Sequence, residues 1–213
     1  MLEATKPDGQ GKAMLNQYDG WRNGQTACPE SDFTKPSQLC PRVHLWAAPD
    51  SMSSECEVSD FLFSLVRLLK PSVVLETGCF LGATSVAIGH ALKSNEHGRL
   101  VTCDIDAGLV EQVHELAKRF QLPINVTHCD SASLINRTKS IDLAFIDSGE
   151  DRANEVTSLI PKMTRFGVIA LHDTAPHQWQ VEEEYFESRG LQCLYMNTPR
   201  GLTLFQRRRS WRA

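Results

Sequence analysis

The 213 residues carry 22 Lys and Arg against 26 Asp and Glu, a formal net charge of −4, with 41% hydrophobic and 23% charged residues. That length suits one domain with a tail or cap and a sizeable core, and the acidic balance argues against a protein devoted to non-specific nucleic-acid binding. The sequence has no run of about 18 apolar residues, and its opening stretch MLEATKPDGQGK lacks the apolar centre of a signal peptide, so no membrane partner is expected. Seven cysteines (Cys28, Cys40, Cys56, Cys79, Cys103, Cys129 and Cys193) are an odd number scattered along the chain. They read as reduced thiols of a cytoplasmic protein rather than a disulfide framework.

Residues 1–52 are rich in Pro, Gly, Ser, Asn and Gln with little hydrophobic period, and read as an arm or cap with one short helix near KAMLNQY. From Ser54 the texture changes. SECE offers a capping box, Ser54 capping and Glu57 reaching back, ahead of the amphipathic run VSDFLFSLVRLL. Strands and helices then alternate. SVVLET is read as a strand and GATSVAIGHALKS as a helix; RLVTCD is a strand, followed after the N-cap candidate Asp106 by the helix AGLVEQVHELAKRF. INVTHC, IDLAFID and GVIALHD are read as strands, with helices SASLINR and EDRANEVTSLIPKM between them and QVEEEYFESR after them. LQCLYM and LTLFQ close the series as two strands joined by the turn NTPRG. The domain is placed at 53–206 and a basic tail at 207–213.

This alternation implies parallel pairing with right-handed crossovers, a doubly wound α/β sheet. The last two strands share a turn too short for a crossover, so the Rossmann-like seven-stranded sheet is mostly parallel with one antiparallel strand near its C-terminal edge. Ligands of such sheets bind beyond the carboxyl ends of the strands, where strand order reverses. There LETGCFLGATS supplies Gly78 and Gly82 but not the G-x-G-x-x-G of a dinucleotide site, and Glu76 precedes them. A carboxylate beside the loop would repel a pyrophosphate but suits an ammonium. Asp104, in CDID, is placed to accept two ribose hydroxyls, and Asp130 and Ser131, in CDSAS, to bond an adenine. Ammonium, ribose and adenine without phosphate describe S-adenosyl-L-methionine.

Residues 57–206 resemble the class I S-adenosylmethionine-dependent methyltransferases, particularly the small-molecule O-methyltransferases of the catechol type and their bacterial relatives. VLETGCFLGATSVAI resembles their first motif, with Phe80 and Thr84 beside the glycines, and LVTCDID their ribose-binding strand end. AFIDSGEDR resembles their fourth-strand motif and GVIALHDTA their fifth-strand end, where an acid and then an amide bind a metal. The resemblance implies methyl transfer from S-adenosylmethionine, with Asp147 among the cofactor residues and a metal set of Asp147, Asp173 and Thr174. Thr174 stands where the family has Asn, and Glu150 where it has a Lys or His base.

Methyl transfer is an in-line displacement at a sulfonium carbon and needs an aligned nucleophile stripped of its proton. The sequence contains no Asn-Pro-Pro-Tyr loop, and no Pro-Cys follows the fourth strand, which leaves an oxygen acceptor as the expectation. Asp147 and Asp173 end adjacent strands, and such a pair suits a hard cation such as Mg²⁺ that would acidify an acceptor hydroxyl. The HDT context offers Asp173 no obvious basic partner. Glu150 and His172 are the candidate catalytic residues, with His177 in reserve. The expected partners are a small-molecule hydroxylated acceptor and, optionally, a second copy in a homodimer. The competing readings are a cofactor-binding module without catalysis and a nicotinamide-dependent oxidoreductase. Other features have plainer readings: Gly78 and Gly82 as packing glycines, Asp104 as a helix cap, the cysteines at strand ends as buried inert thiols. Cys28, Cys40, His44 and Cys56 could supply a zinc set but lack a Cys-x-x-Cys pair. RRRSWR reads as a solvated terminus.

Overall fold

A computed structural model describes residues 40–50, 52–149, 151–175 and 183–208. The short helix foreseen near KAMLNQY, Cys28, Glu150, His177 and most of the basic tail lie outside them.

Helix α1 spans Cys56–Leu69, where Val58, Leu62 and Val66 recur every fourth residue and are buried. Its start is not the capping box that SECE suggests. Glu55 is the N-cap residue and makes no side-chain cap bond. The Ser54 hydroxyl instead donates to Asp147 Oδ2 at 2.7 Å, and Glu57 Oε2 accepts from the Ala47 amide at 3.2 Å. Tertiary partners have taken both side chains that local chemistry assigned to the helix end.

Strand β1 (Val73–Thr77) leads to α2 (Ala83–Asn95), β2 (Arg99–Asp104) to α3 (Ala107–Phe120), and β3 (Ile124–His128) to α4 (Ser131–Arg137). Asp106 caps α3 as read, its Oδ1 accepting from the Gly108 and Leu109 amides at 2.7 and 3.2 Å. β4 (Ile141–Ile146) precedes α5 (Arg152–Leu159), and β5 (Met163–His172) precedes α6 (Glu183–Glu187). The fifth helix is shorter than its sequence suggests. Pro161 lacks an amide donor, and the chain tightens into a 3₁₀ turn over Ile160–Lys162 before β5 begins. β6 (Leu191–Met196) and β7 (Leu202–Arg207) complete the sheet.

The strand order is β3-β2-β1-β4-β5-β7-β6. β1 pairs in parallel with β2 and β4, and β4 with β5, whereas β7 runs antiparallel to both β5 and β6. The expected architecture is therefore present, with β7 the reversed strand and the order reversing between β1 and β4.

Alternate residues of the central strands feed two cores. Val74, Leu143, Phe145, Val168 and Ala170 pack with the α1 residues and with Ile88, Ala91 and Leu92 of α2. Leu75, Ala144, Ile146, Ile169 and Leu171 pack with Leu134 and Ile135 of α4, Val156 and Leu159 of α5 and Phe186 of α6. Layers on both faces leave the strand ends as the place where polar side chains converge.

The β6–β7 turn closes against the end of β5. Thr174 N donates to Gly201 O and Ala175 N to Arg200 O, at 3.2 and 2.8 Å. Gly201 has φ +82°, and a Cβ there would lie 2.2 Å from the Ala175 nitrogen. Gly201→Ala is therefore expected to destabilise the fold by more than about 1 kcal/mol, lowering the melting temperature by at least about 2 °C in a calorimetric scan.

Candidate active site

A cavity of about 620 Å³ opens at the carboxyl ends of the strands, at the reversal between β1 and β4, and falls within the size range of cofactor pockets. Its lining includes Gly78, Phe80 and Thr84 from the β1–α2 connection, Asp104 from β2, Asp130 and Ser131 after β3, and Asp147 and Asp173 after β4 and β5.

The glycine turn is shaped by its neighbours. Gly78 has φ +79°, and a Cβ there would meet the Asp147 carbonyl oxygen at 2.8 Å, so only glycine lets the turn lie against the end of β4. Gly82 heads α2, faces Val113 and Leu116 of α3, and stays outside the cavity lining. Asp104 is not a helix cap. Its Oδ2 accepts from Phe80 N and its Oδ1 from Asp106 N, both at 3.0 Å, which fixes the carboxylate at the cavity wall with lone pairs to spare. Asp130, by contrast, caps α4, with Oδ1 accepting from Ser133 N at 2.7 Å and Oδ2 from Ser133 Oγ at 3.0 Å.

Two further acids act as struts. Glu76 is fully buried and lies outside the cavity lining, so it is not the carboxylate facing an ammonium that the sequence suggests. It accepts from Thr84 Oγ1 at 2.6 Å and from Ser85 Oγ, and burial raises its carboxyl above the usual range despite these bonds. Glu155 accepts from Ser148 Oγ at 2.6 Å, Thr77 Oγ1 at 3.1 Å and Ser131 Oγ, tying together the end of β1, the start of α4 and the β4–α5 loop.

The remaining wall is a network of charges. His172 is fully buried, with Nε2 2.7 Å from Glu55 Oε2 and Nδ1 3.0 Å from Asp147 Oδ1. Both ring nitrogens are engaged and neither faces the cavity, so His172 is a positioning residue and not an exposed base. Asp173 does have basic partners: Arg200 Nε at 2.6 Å from Oδ1, and a further nitrogen each of Arg200 and Arg152 at 3.0 Å from Oδ2. Arg200 also donates to the Met52 and Ser53 carbonyls at 3.0 and 3.3 Å, and its own amide donates to Glu55 Oε1 at 2.8 Å.

Among the described residues, one group of His, Cys, Asp and Glu could hold a metal: ligand atoms of Asp147, His172 and Asp173 lie within 4.8 Å of one another. The donors do not fit a cation as they stand. The Asp173 carboxylate is already paired with the guanidinium groups of Arg200 and Arg152, the Asp147 oxygens take Ser54 and the His172 ring, and Thr174 Oγ1 lies outside the cavity lining, accepting from Thr203 Oγ1 at 2.9 Å. Two like unit charges about 4 Å apart near a protein surface repel by about 4 kcal/mol, and a dication beside a guanidinium doubles that figure. Arg152, Arg200, Glu55 and Glu155 were not singled out by the sequence, because each meets its partner through the fold.

The buried network carries a pH signature. Burial would depress the His172 imidazole, but the Asp147 and Glu55 carboxylates more than offset it and raise its pKa to about 10. Its contribution to stability is full below the ordinary value of 6.5 and is lost as pH rises through about 10. Burial would raise Glu55, yet His172 holds it below its ordinary 4.5, so its contribution is present above that value and lost as pH falls. Urea unfolding should therefore show stability declining above about pH 6.5, and His172→Gln should flatten that decline. An equal slope in the variant would assign the alkaline limb to other groups.

Residues 75–174 match a family model described as a methyltransferase domain. A curated relative, catechol O-methyltransferase domain-containing protein 1 of Mus musculus, is 43% identical over 58 residues, which span 27% of this chain and 21% of that protein's length. Three solved structures share the fold over nearly the whole chain. A methyltransferase from Geobacter sulfurreducens has a TM-score of 0.63 at 17% identity, covering 97% of this chain and 92% of its own. The SAH-bound methyltransferase PaMTH1 of Podospora anserina has a TM-score of 0.63 at 15% identity, covering 98% and 100%. The O-methyltransferase TomG of Streptomyces achromogenes, in complex with SAM and involved in tomaymycin synthesis, has a TM-score of 0.61 at 16% identity, covering 90% and 96%. Across residues 75–174 the chain is thus similar to a methyltransferase domain, and its Rossmann-like fold is the one these solved methyltransferases share.

Proposed function

We propose that this protein transfers a methyl group from S-adenosylmethionine to a hydroxyl of a small molecule. The observation that carries the reading is Asp104: a carboxylate at the end of β2, held by two backbone amides and facing a cavity at the strand-order reversal. An acceptor of that kind suits ribose hydroxyls, and the site lacks the third glycine of a pyrophosphate loop, which disfavours the nicotinamide alternative. S-adenosylmethionine supplies the electrophilic methyl group when bound.

The chain's own residues supply orientation. Asp104 holds the ribose end, and Gly78, Phe80 and Thr84 form the wall beside it. Leu81 and Ile105 are exposed apolar side chains lining the same end and suit the face of an adenine ring. At the other end Met52, 60% exposed, stands near Ser54, Asp147, Asp173 and Arg200, and this end is assigned to the acceptor. An apolar side chain beside polar ones suits a hydroxylated molecule with an apolar body. Glu150, which follows Gly149 of the cavity wall, remains the proposed base. The core use of Cys56, Cys79 and Cys103 as small buried side chains supports a reducing compartment and hence the cytoplasm.

Calorimetry against S-adenosylmethionine, its demethylated product and NAD tests the cofactor, and transfer of labelled methyl to a panel of hydroxylated acceptors tests the reaction. Asp104→Ala is expected to weaken S-adenosylmethionine binding by about ten- to a hundredfold, the loss of charge-assisted hydrogen bonds. Unchanged affinity in a folded variant would remove Asp104 from the cofactor site and leave the proposal without its main support.

A further inference from the structure

The two carboxylates that the sequence reads as a metal pair are held in the structure by the protein's own cations. Asp173 takes Arg200 through both of its oxygens, and Arg152 shares Oδ2. Asp147 takes the His172 ring on Oδ1 and the Ser54 hydroxyl on Oδ2. The His172 ring cannot turn a free lone pair toward a cation without giving up one of its two carboxylate partners. Thr174, the third oxygen of the expected set, accepts a hydrogen bond from Thr203 in the buried β5–β7 seam. Asp173 is thus already charge-paired with two guanidinium groups, and a divalent cation would have to share that carboxylate with them.

Arg200 also reaches where a bound ion would not. Its guanidinium donates to the Met52 and Ser53 carbonyls, and its backbone amide to Glu55, so it joins the β6–β7 turn to the segment entering α1. Its side chain is only 9% exposed, as is that of Asp173, so the ion pair is largely sheltered from competing water. Arg152 is anchored independently, with Nε donating to Ser148 O at 2.8 Å and a further nitrogen to Asp173 O at 3.3 Å.

We infer that this active site is metal-independent, the guanidinium groups of Arg200 and Arg152 compensating Asp173, and the His172 ring and Ser54 hydroxyl engaging Asp147, where a divalent cation would otherwise bind. Arg200 is then a positioning residue: it holds Asp173 and ties residues 52, 53 and 55 to the β6–β7 turn. The inference concerns the charge state of the site and does not rest on the identity of the methyl acceptor or on methyl transfer itself.

Mn²⁺ is the probe, read by the electron paramagnetic resonance signal of the free ion. The chelator-stripped full chain, mixed with equimolar Mn²⁺, should leave that signal as in protein-free buffer, and Asp173→Asn should behave identically. One equivalent of Mn²⁺ bound by the wild type and lost in Asp173→Asn would overturn the inference. Arg200→Ala removes the resident cation and should gain Mn²⁺ binding that Arg200→Lys does not. Failure of folded Arg200→Ala to gain any Mn²⁺ would show that Arg200 is not what excludes the ion. Where Arg200→Ala does not fold, Arg200→Gln takes its place with the same expected gain. Every readout is metal binding, so a wrong assignment of the reaction leaves the test intact.

Discussion

The pairing of Asp173 with Arg200 is the constraint on which the site depends. Asp173 follows β5, and Arg200 lies in the β6–β7 turn, 27 residues on. Through its other bonds Arg200 takes hold of residues 52, 53 and 55, about 150 residues away in the chain. The same segment supplies Ser54 and Glu55 to Asp147 and His172. Three stretches with no local reason to meet are thus joined through buried charges. Such groups are costly to bury singly, and removing one partner leaves an uncompensated charge in place of a weaker bond. The network therefore enforces one arrangement of the cavity wall more than it adds net stability.

Backbone conformation is spent at the same place. Phe80 and Asp173, both lining the cavity, have φ of 43° and 57°, in the left-handed region that residues other than glycine populate sparingly. Conformations of this kind persist where the surroundings over-determine them. Phe80 is held by its amide's bond to Asp104, and Asp173 by two arginines. Lys70, Glu96, Gln121 and Ser140 share this conformation elsewhere, but Phe80 and Asp173 are the two whose side chains or amides help define the ends of the cavity. Glu155 and Glu76 act between these ends, converting loose serine and threonine hydroxyls into fixed struts.

The sheet was legible in the sequence because its signals are local. RLVTCD, AGLVEQVHELAKRF, SASLINR and LQCLYM coincide with their elements residue for residue, each having a clear period and a turn or cap at its border. The antiparallel last pair followed from the shortness of NTPRG alone. What was misread involves long-range partners. SECE is a sound capping box as a string, but Ser54 is drawn 93 residues down the chain to Asp147. Glu76 sits one turn from the glycines and looks like a ligand group, until the fold buries it beneath Thr84 and Ser85. Most of the cofactor candidates do line the cavity, because strand ends are legible and strand ends make the cavity. Arg200 was read only as part of a turn, and nothing in its neighbours marks it as the partner of Asp173.

Internal compensation of Asp147 and Asp173 changes what the cavity can select for. A wall with unpaired carboxylates would draw any cation and would discriminate chiefly by charge. Here Asp173 is paired with two guanidinium groups, so recognition falls to the other groups of the wall: Asp104, and the apolar Met52, Leu81 and Ile105. Apolar contacts of that kind reward shape and area, and a few fixed polar groups set orientation. Met52 stands on the segment that Arg200 anchors, so this apolar side chain of the cavity wall is positioned by the same guanidinium that pairs with Asp173. Charge pairing at Asp173 and the placement of the Met52 end of the wall therefore share one side chain, Arg200 from the β6–β7 turn.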